Sequence, residues 1–309
     1  CVTDLGSTNG TFINRERVAG TQPLAEDDVL HFGNAEFRLG RAATVPPPMN
    51  WADDGATRVV PKSRPGPSHF VPRQRQFDEL LQGQGMAAAA QPIVRAVTGD
   101  LFAYELLGRC THPGLHPSPI HLFHLAAELD READLSEAFR DYGVKALTPR
   151  LKGSTLFVNT HPKETFEDAF FNALQRLSQM PGAPALVVEV HETAVMEVAL
   201  MRELAAKLAR IRVQFAYDDF GAGQARLVEL GEVPAHFVKF DMGLIRDIHQ
   251  APAGKQRVVR DLVRLVHELG SQSLAEGVEV EEEAVVCREM GFDLIQGYLT
   301  GRPVPVQSL

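Results

Sequence analysis

Ala185-Leu186-Val187-Val188-Glu189-Val190 and Val213-Gln214-Phe215-Ala216-Tyr217 are two short apolar runs, and between them lies the amphipathic stretch Met196–Ile211. A buried strand, a one-faced helix and a second buried strand form a crossover unit, which makes the two strands parallel. The alternation continues in both directions. Phe102–Leu107, Thr155–Asn159, Phe237–Phe240, Ser271–Ala275 and Leu294–Gln296 are further strand candidates, and His121–Ala133, Lys163–Leu177 and Arg257–Leu269 read as helices. Seven or eight such units within about 230 residues fit a closed (β/α)8 barrel better than an open sheet.

The polar residues fall at the ends of these strands: Glu105, Asn159, Glu189, Asp218-Asp219, Lys239 with Asp241, Glu276 and Gln296. The steps from Glu105 to Gln296 are 54, 30, 29, 21, 37 and 20 residues, averaging close to one barrel unit of about 31 residues. One polar residue per unit, each at the C-terminal end of its strand, places them around one mouth of the barrel. Such a ring is costly, because like charges repel and are partly desolvated. Divalent cations offset that cost, and an oxygen-rich ligand set suits Mg²⁺ or Mn²⁺.

The remainder of the chain divides into two zones. Residues 1–40 read as strands and turns: Asn9-Gly10 beside Thr11-Phe12-Ile13 is a hairpin signal, and Val29–Phe32 and Glu36–Leu39 flank Gly33-Asn34. Residues 41–76 carry Pro46-Pro47-Pro48, Pro61, Pro65, Pro67 and Pro72 and read as an extended linker, with Thr57 next to Asp53-Asp54 as a candidate phosphorylation site. Residues 77–309 hold the barrel. The whole chain has 309 residues, 31 Lys and Arg against 40 Asp and Glu, and a formal charge of −9. That sign disfavours a nucleic acid polymer as partner. No apolar run approaches the ~20 residues of a membrane helix, so no membrane is expected. Three cysteines, an odd number, point to a reducing, cytoplasmic setting. The opening at Cys1 already reads as the interior of a domain.

In order along the chain come Gln91-Pro92-Ile93, Tyr104-Glu105-Leu106-Leu107-Gly108-Arg109, Phe157-Val158-Asn159, Val188-Glu189-Val190-His191-Glu192, Asp218-Asp219-Phe220-Gly221, Lys239-Phe240-Asp241, Ala275-Glu276-Gly277-Val278-Glu279 and Gln296-Gly297-Tyr298. This series resembles the EAL-domain family of cyclic-di-GMP phosphodiesterases and their non-catalytic receptor relatives. The resemblance implies a modified TIM-like barrel with one antiparallel strand, a homodimer through the barrel, and hydrolysis of cyclic-di-GMP to linear pGpG at a site with two Mg²⁺ or Mn²⁺ ions. By the same resemblance Glu105, Asn159, Glu189 and Asp218 hold one metal, with Asp218 and Asp219 at the second. Glu276 resembles the general base, and Lys239 a residue that holds the attacking water or a phosphoryl oxygen. Gln91, Leu107, Arg109, Asp241 and Gln296 resemble substrate-binding positions, and Glu192 and Glu279 resemble anchors for the loop after Asp219. His161 and His191 match no ligand position of the family.

Taken singly, these residues have plain readings: Asp218-Asp219 is a turn or helix cap, and Lys239 a residue that reaches the surface. Eight of them in order shift the balance towards a ligand site. Three departures from the pattern stand out: Leu107 in the signature tripeptide, His191 where threonine is usual, and Gln224-Ala225-Arg226 in the loop after Asp219. They leave two alternatives beside the enzyme, a catalytically impaired cyclic-di-GMP receptor and an interaction scaffold. At the other end, Asp4-Leu5-Gly6-Ser7-Thr8-Asn9-Gly10-Thr11-Phe12-Ile13-Asn14 resembles the second half of a forkhead-associated (FHA) domain. That family binds phosphothreonine peptides, which implies a phosphoprotein partner for an intact FHA domain, with Asn9 contacting the peptide backbone.

Overall fold

The computed structural model describes residues 1–3, 11–13, 16–18, 20–25, 28–32, 35–38, 70–151, 153–191, 198–222 and 227–309. The chain forms two compact units, Cys1–Ala56 and Thr57–Leu309. The first is all-β. Strands β1 (Val2–Thr3) and β4 (Thr21–Gln22) pair antiparallel, and β3 (Glu16–Arg17), β2 (Thr11–Ile13), β5 (Val29–Phe32) and β6 (Ala35–Arg38) form a four-stranded antiparallel sheet in that order. Asn9-Gly10 and Thr57 lie outside the described residues.

The second unit opens with α1 (Phe70–Leu81) and the long hairpin β7 (Met86–Arg95) and β8 (Leu101–Cys110). Helices α2 (Pro119–Leu129) and α3 (Glu132–Leu147) follow, then β9 (Thr155–Asn159), α4 (Asp168–Ser178), β10 (Ala185–His191), α5 (Val198–Arg210), β11 (Gln214–Phe220), α6 (Leu227–Glu232), β12 (Phe237–Phe240), α7 (Met242–Ile245), α8 (Ala253–Glu268), β13 (Gln272–Ala275), α9 (Glu281–Met290), β14 (Leu294–Gln296) and β15 (Val304–Pro305). Strands β8 to β14 are parallel, each to the next, and β7 closes the barrel by pairing antiparallel with both β8 and β14. One antiparallel strand in a mixed eight-stranded barrel is the architecture the motif series implied.

Two departures from the sequence reading have local causes. The stretch His121–Ala133 is not one helix: Asp130 adopts a left-handed conformation (φ 58°), ends α2, and its neighbour Arg131 starts α3 while pairing with Asp78 and Asp134. The eighth strand is Met86–Arg95, whose run of four alanines gives little strand signal by itself. The β7–β8 hairpin is covered by α3, which comes close to β8. A Cβ on Gly143 would lie 2.2 Å from Leu106 Cδ1, and one on Gly108 2.4 Å from the Phe139 ring.

The barrel is filled by a layer to which every strand contributes one residue: Ile93, Ala103, Phe157, Val187, Ala216, Phe237, Leu274 and Leu294. Phe157 and Phe237 meet edge to face with ring centroids 5.0 Å apart, a geometry that adds about 0.5–1.5 kcal/mol to their burial. The alternate residues point outward into the helix layer, among them Leu106, Val158, Val188, Val190, Phe215, Tyr217, Val238 and Phe240. Both faces of these strands are therefore apolar, and their sequence reads as continuous rather than alternating.

Candidate active site

Side chains repeat with a period of two along a strand. Two residues beyond the inner layer, towards the end at which the parallel strands finish, stand Glu105, Asn159, Glu189, Asp218, Lys239, Glu276 and Gln296; on the reversed β7 the equivalent step leads back to Gln91. The apolar plug thus becomes the floor of the site, and the next tier up is a ring of eight polar residues, one per strand. Glu276 immediately follows β13, and the ring is otherwise within the strands.

The ring is bonded internally. Lys239 is 1% exposed, and its Nζ lies 2.6 Å from Glu189 Oε1, 2.8 Å from Asp218 Oδ1 and 2.8 Å from Glu276 Oε1. Asn159 Nδ2 donates to Glu105 Oε1 at 3.0 Å, and Gln296 Nε2 donates to Glu105 Oε2 at 2.6 Å and to Gln91 Oε1 at 3.4 Å. Gln91 in turn donates to the carbonyl of Gly301 at 3.1 Å. Arg109 and Leu107 lie further along β8, half-buried, and the Arg109 guanidinium donates to the carbonyl of Gly108. Asp241 caps α7 by accepting from the Gly243 N–H at 2.8 Å.

Consecutive residues of a regular strand face opposite ways, yet Asp218, Asp219 and Glu276 bring carboxylate oxygens within 4.8 Å of one another. The backbone explains this. The β11–β12 register shifts between Tyr217 and Phe220, and Asp219 adopts a left-handed conformation (φ 56°). That irregularity turns a second carboxylate towards the mouth.

The four carboxylates of the ring, Glu105, Glu189, Asp218 and Glu276, and the adjoining Asp219 share the mouth with the ammonium of Lys239. Burial, reinforced for Glu189 by the Glu105 charge and opposed by Lys239, pushes the Glu189 and Glu276 carboxyls well above the usual range and raises that of Asp218. The Lys239 ammonium is driven well above its ordinary value: burial opposes this, but the charges of Asp218, Glu105, Glu189 and Glu276 outweigh it. Glu189 Oε2, fully buried, has no hydrogen-bond donor among the described residues, and neither does any group reach Gln296 Oε1. A buried carboxylate oxygen without a donor is expensive. The donor set and this orphaned atom fit hard divalent cations bound through oxygen.

The chain belongs to the EAL-domain family. The family profile matches residues 74–303, and an FHA domain profile matches residues 1–33. The chain is 30% identical over 257 residues to the cyclic di-GMP phosphodiesterase RocR of Pseudomonas aeruginosa, a match covering 77% of this chain and 64% of RocR. It is 28% identical over 242 residues to the bifunctional diguanylate cyclase/cyclic di-GMP phosphodiesterase MucR of the same organism, with 75% and 35% covered. The chain therefore spans under two thirds of these curated relatives. Among solved structures, that of Klebsiella pneumoniae BlrP1 with manganese and cyclic-di-GMP superposes with a TM-score of 0.64 at 30% identity, covering 72% of this chain and 57% of BlrP1. The MucR phosphodiesterase in complex with cyclic-di-GMP gives 0.66 at 26% identity, covering 77% and 99%.

Against the EAL motif series, the structure gathers Gln91, Glu105, Asn159, Glu189, Asp218, Asp219, Lys239, Glu276 and Gln296 at one mouth. Glu279 binds Arg246, at the end of α7. Glu192 and residues 223–226, where the loop after Asp219 departs from the family pattern, lie outside the described residues, as does Asn9. Two contacts lie beyond the sequence reading, which noted His191 only as a departure from the family pattern. His191 follows Val187 and Glu189 at the same alternation, so spacing puts it on the inner face, but its pairing with Asp219 depends on the irregular end of β11. Arg140 of α3 fixes the end of β9 through the Asn159 carbonyl, a long-range contact that leaves no local pattern.

Proposed function

We propose that this chain hydrolyses cyclic-di-GMP to linear pGpG, with Mg²⁺ or Mn²⁺ held by Glu105, Asn159, Glu189, Asp218 and Asp219. The observation that carries this reading is the cluster of five carboxylates at the mouth beside the Lys239 ammonium, with the buried Glu189 Oε2 lacking a donor among the described residues. The similarity to RocR and to the manganese-bound BlrP1 supports the same chemistry. Two divalent cations bound there would acidify a water and stabilise the charge that builds on the phosphoryl and leaving oxygens.

The protein's own groups have separable tasks. Glu276 carries a raised proton affinity through its burial, which suits a group that must accept a proton near neutral pH. It takes the proton of the attacking water as that oxygen bonds to phosphorus and the bond to the leaving 3′-oxygen breaks, giving pGpG. Lys239 holds Glu276 in place at 2.8 Å and supplies the fixed positive charge of the ring. Arg109, half-buried on β8 beyond Glu105, would meet a phosphate, with Gln91, Leu107, Asp241 and Gln296 completing the substrate contacts. Residues 1–40 and 41–76 would connect this site to phosphopeptide signalling when the FHA domain is complete, and the barrel would pair with a second copy.

The test is turnover of cyclic-di-GMP by the whole chain with Mn²⁺, beside Glu105→Ala and Glu276→Ala. Release of pGpG by the wild type and loss in both variants supports the enzyme. Tight binding of cyclic-di-GMP without pGpG release makes the protein a receptor, and absence of binding with or without metal makes the barrel a scaffold.

A further inference from the structure

We propose that His191 is a positioning residue for the second cation subsite and acts through Asp219. This rests on the two-cation reading above. His191 is the last residue of β10 and lies level with Asp218 on the neighbouring β11. Its side chain follows Val187 and Glu189 on the barrel-facing side of the strand. Its Nε2 is 2.9 Å from Asp219 Oδ2, with both side chains 13% exposed. A carboxylate oxygen only accepts, so in this contact the imidazole Nε2 carries the proton and donates it.

Asp219 needs such a hold. It stands in a left-handed turn at a register shift, with its carboxylate facing those of Asp218 and Glu276. Coulomb repulsion from two neighbouring carboxylates favours a rotamer turned out of the ring. One hydrogen bond from a side chain fixed at a strand end opposes that rotation and preorganises the pair. Hydrogen bonds of this kind to a ligating carboxylate contribute about 10–100-fold to metal affinity.

Mn²⁺ titration of the metal-free whole chain, followed by calorimetry and electron paramagnetic resonance, tests the assignment without relying on turnover. The wild type binds two ions. His191→Leu, matched in bulk but lacking the donor, keeps the first ion at wild-type affinity and binds the second about 10–100-fold more weakly. His191→Gln, which retains an N–H donor, recovers most of that loss. Thermal melting of the metal-free variants shows that both are folded, and if His191→Leu is not, the comparison of His191→Gln with His191→Asn, whose shorter arm cannot reach Asp219, replaces it. Equal affinity for both ions in the wild type and the donorless variant overturns the proposal. So does a nitrogen hyperfine coupling in the wild type that vanishes in His191→Leu, because His191 would then be a ligand itself. A wild type that takes up no Mn²⁺ overturns the two-cation reading and this inference with it.

Discussion

Arg140 and Glu164 form an ion pair whose side chains are 2% and 7% exposed. The guanidinium donates to both carboxylate oxygens at 2.8 and 2.7 Å and to the carbonyl of Asn159 at 3.2 Å, and it lies 4.7 Å from the centroid of Phe170. Glu164 also accepts from Thr160 Oγ1 and from the His161 N–H. Arg140→Met keeps the apolar stem and removes the charge, leaving a buried carboxylate with only neutral donors, from Thr160, the His161 N–H and Ser136. Breaking a buried pair on one side costs about 3–5 kcal/mol, and the lost bond to Asn159 adds about 1 kcal/mol. Against a typical total of about 5–15 kcal/mol, that is a large share. Glu164→Gln has a similar cost, since it strands the guanidinium. The double variant strands neither, so it is expected to be less destabilised than the two singles added together, by about 3 kcal/mol.

Urea unfolding of the four proteins reads this directly, and additive destabilisation would refute the argument that stranded charge is the source of the cost. The pH dependence has a definite sign. Burial raises the Glu164 carboxyl, but the Arg140 charge and its hydrogen bonds outweigh that and hold it below the usual value. A depressed folded value means the stabilisation is complete above about pH 4.3 and is lost as pH falls below it towards the folded value. The wild type should therefore lose stability in acid more steeply than the double variant.

Two further outcomes follow from the ring and its rim. Glu189→Gln removes a buried charge from a crowded ring, so the metal-free protein should melt a few degrees higher while the rise in Tm on adding Mn²⁺ disappears, as scanning calorimetry with and without metal would show; an unchanged Mn²⁺ shift would count against Glu189 as a ligand. Gly297→Ala places a Cβ 2.0 Å from the Val278 carbonyl oxygen, and because the obstacle is backbone, about 1–3 kcal/mol of stability should be lost with a weaker grip on cyclic-di-GMP, measured by unfolding and by calorimetric titration; wild-type stability would contradict the close approach.

Much of the barrel was legible because its parallel strands are short apolar runs that end in one polar residue each. The runs at Ala185–Val190 and Thr155–Asn159 correspond closely to β10 and β9. The order of strand-end residues also located the site, since a two-residue step from an inner-layer position is a local property of a strand. What stayed hidden depends on contacts between distant elements. Strand β7 is alanine-rich and is a strand because β8, β14 and β15 pair with it. The break between α2 and α3 turns on a single left-handed aspartate. The grip of His191 on Asp219 needs the irregular end of β11, which no spacing rule announces.

The reversal of β7 also sets where the thread of the barrel begins and ends. Met86 pairs with Cys110, beyond Glu105 on the carboxylate side, and β15 returns to Ala89 and Ala90 on the same strand. Entry and exit are therefore adjacent, on the rim where substrate would arrive. An all-parallel barrel would admit its chain at the opposite end. A domain hung by two neighbouring threads is easily spliced into a longer polypeptide as a pendant, and a pull on either thread is felt first by the strand that carries Gln91.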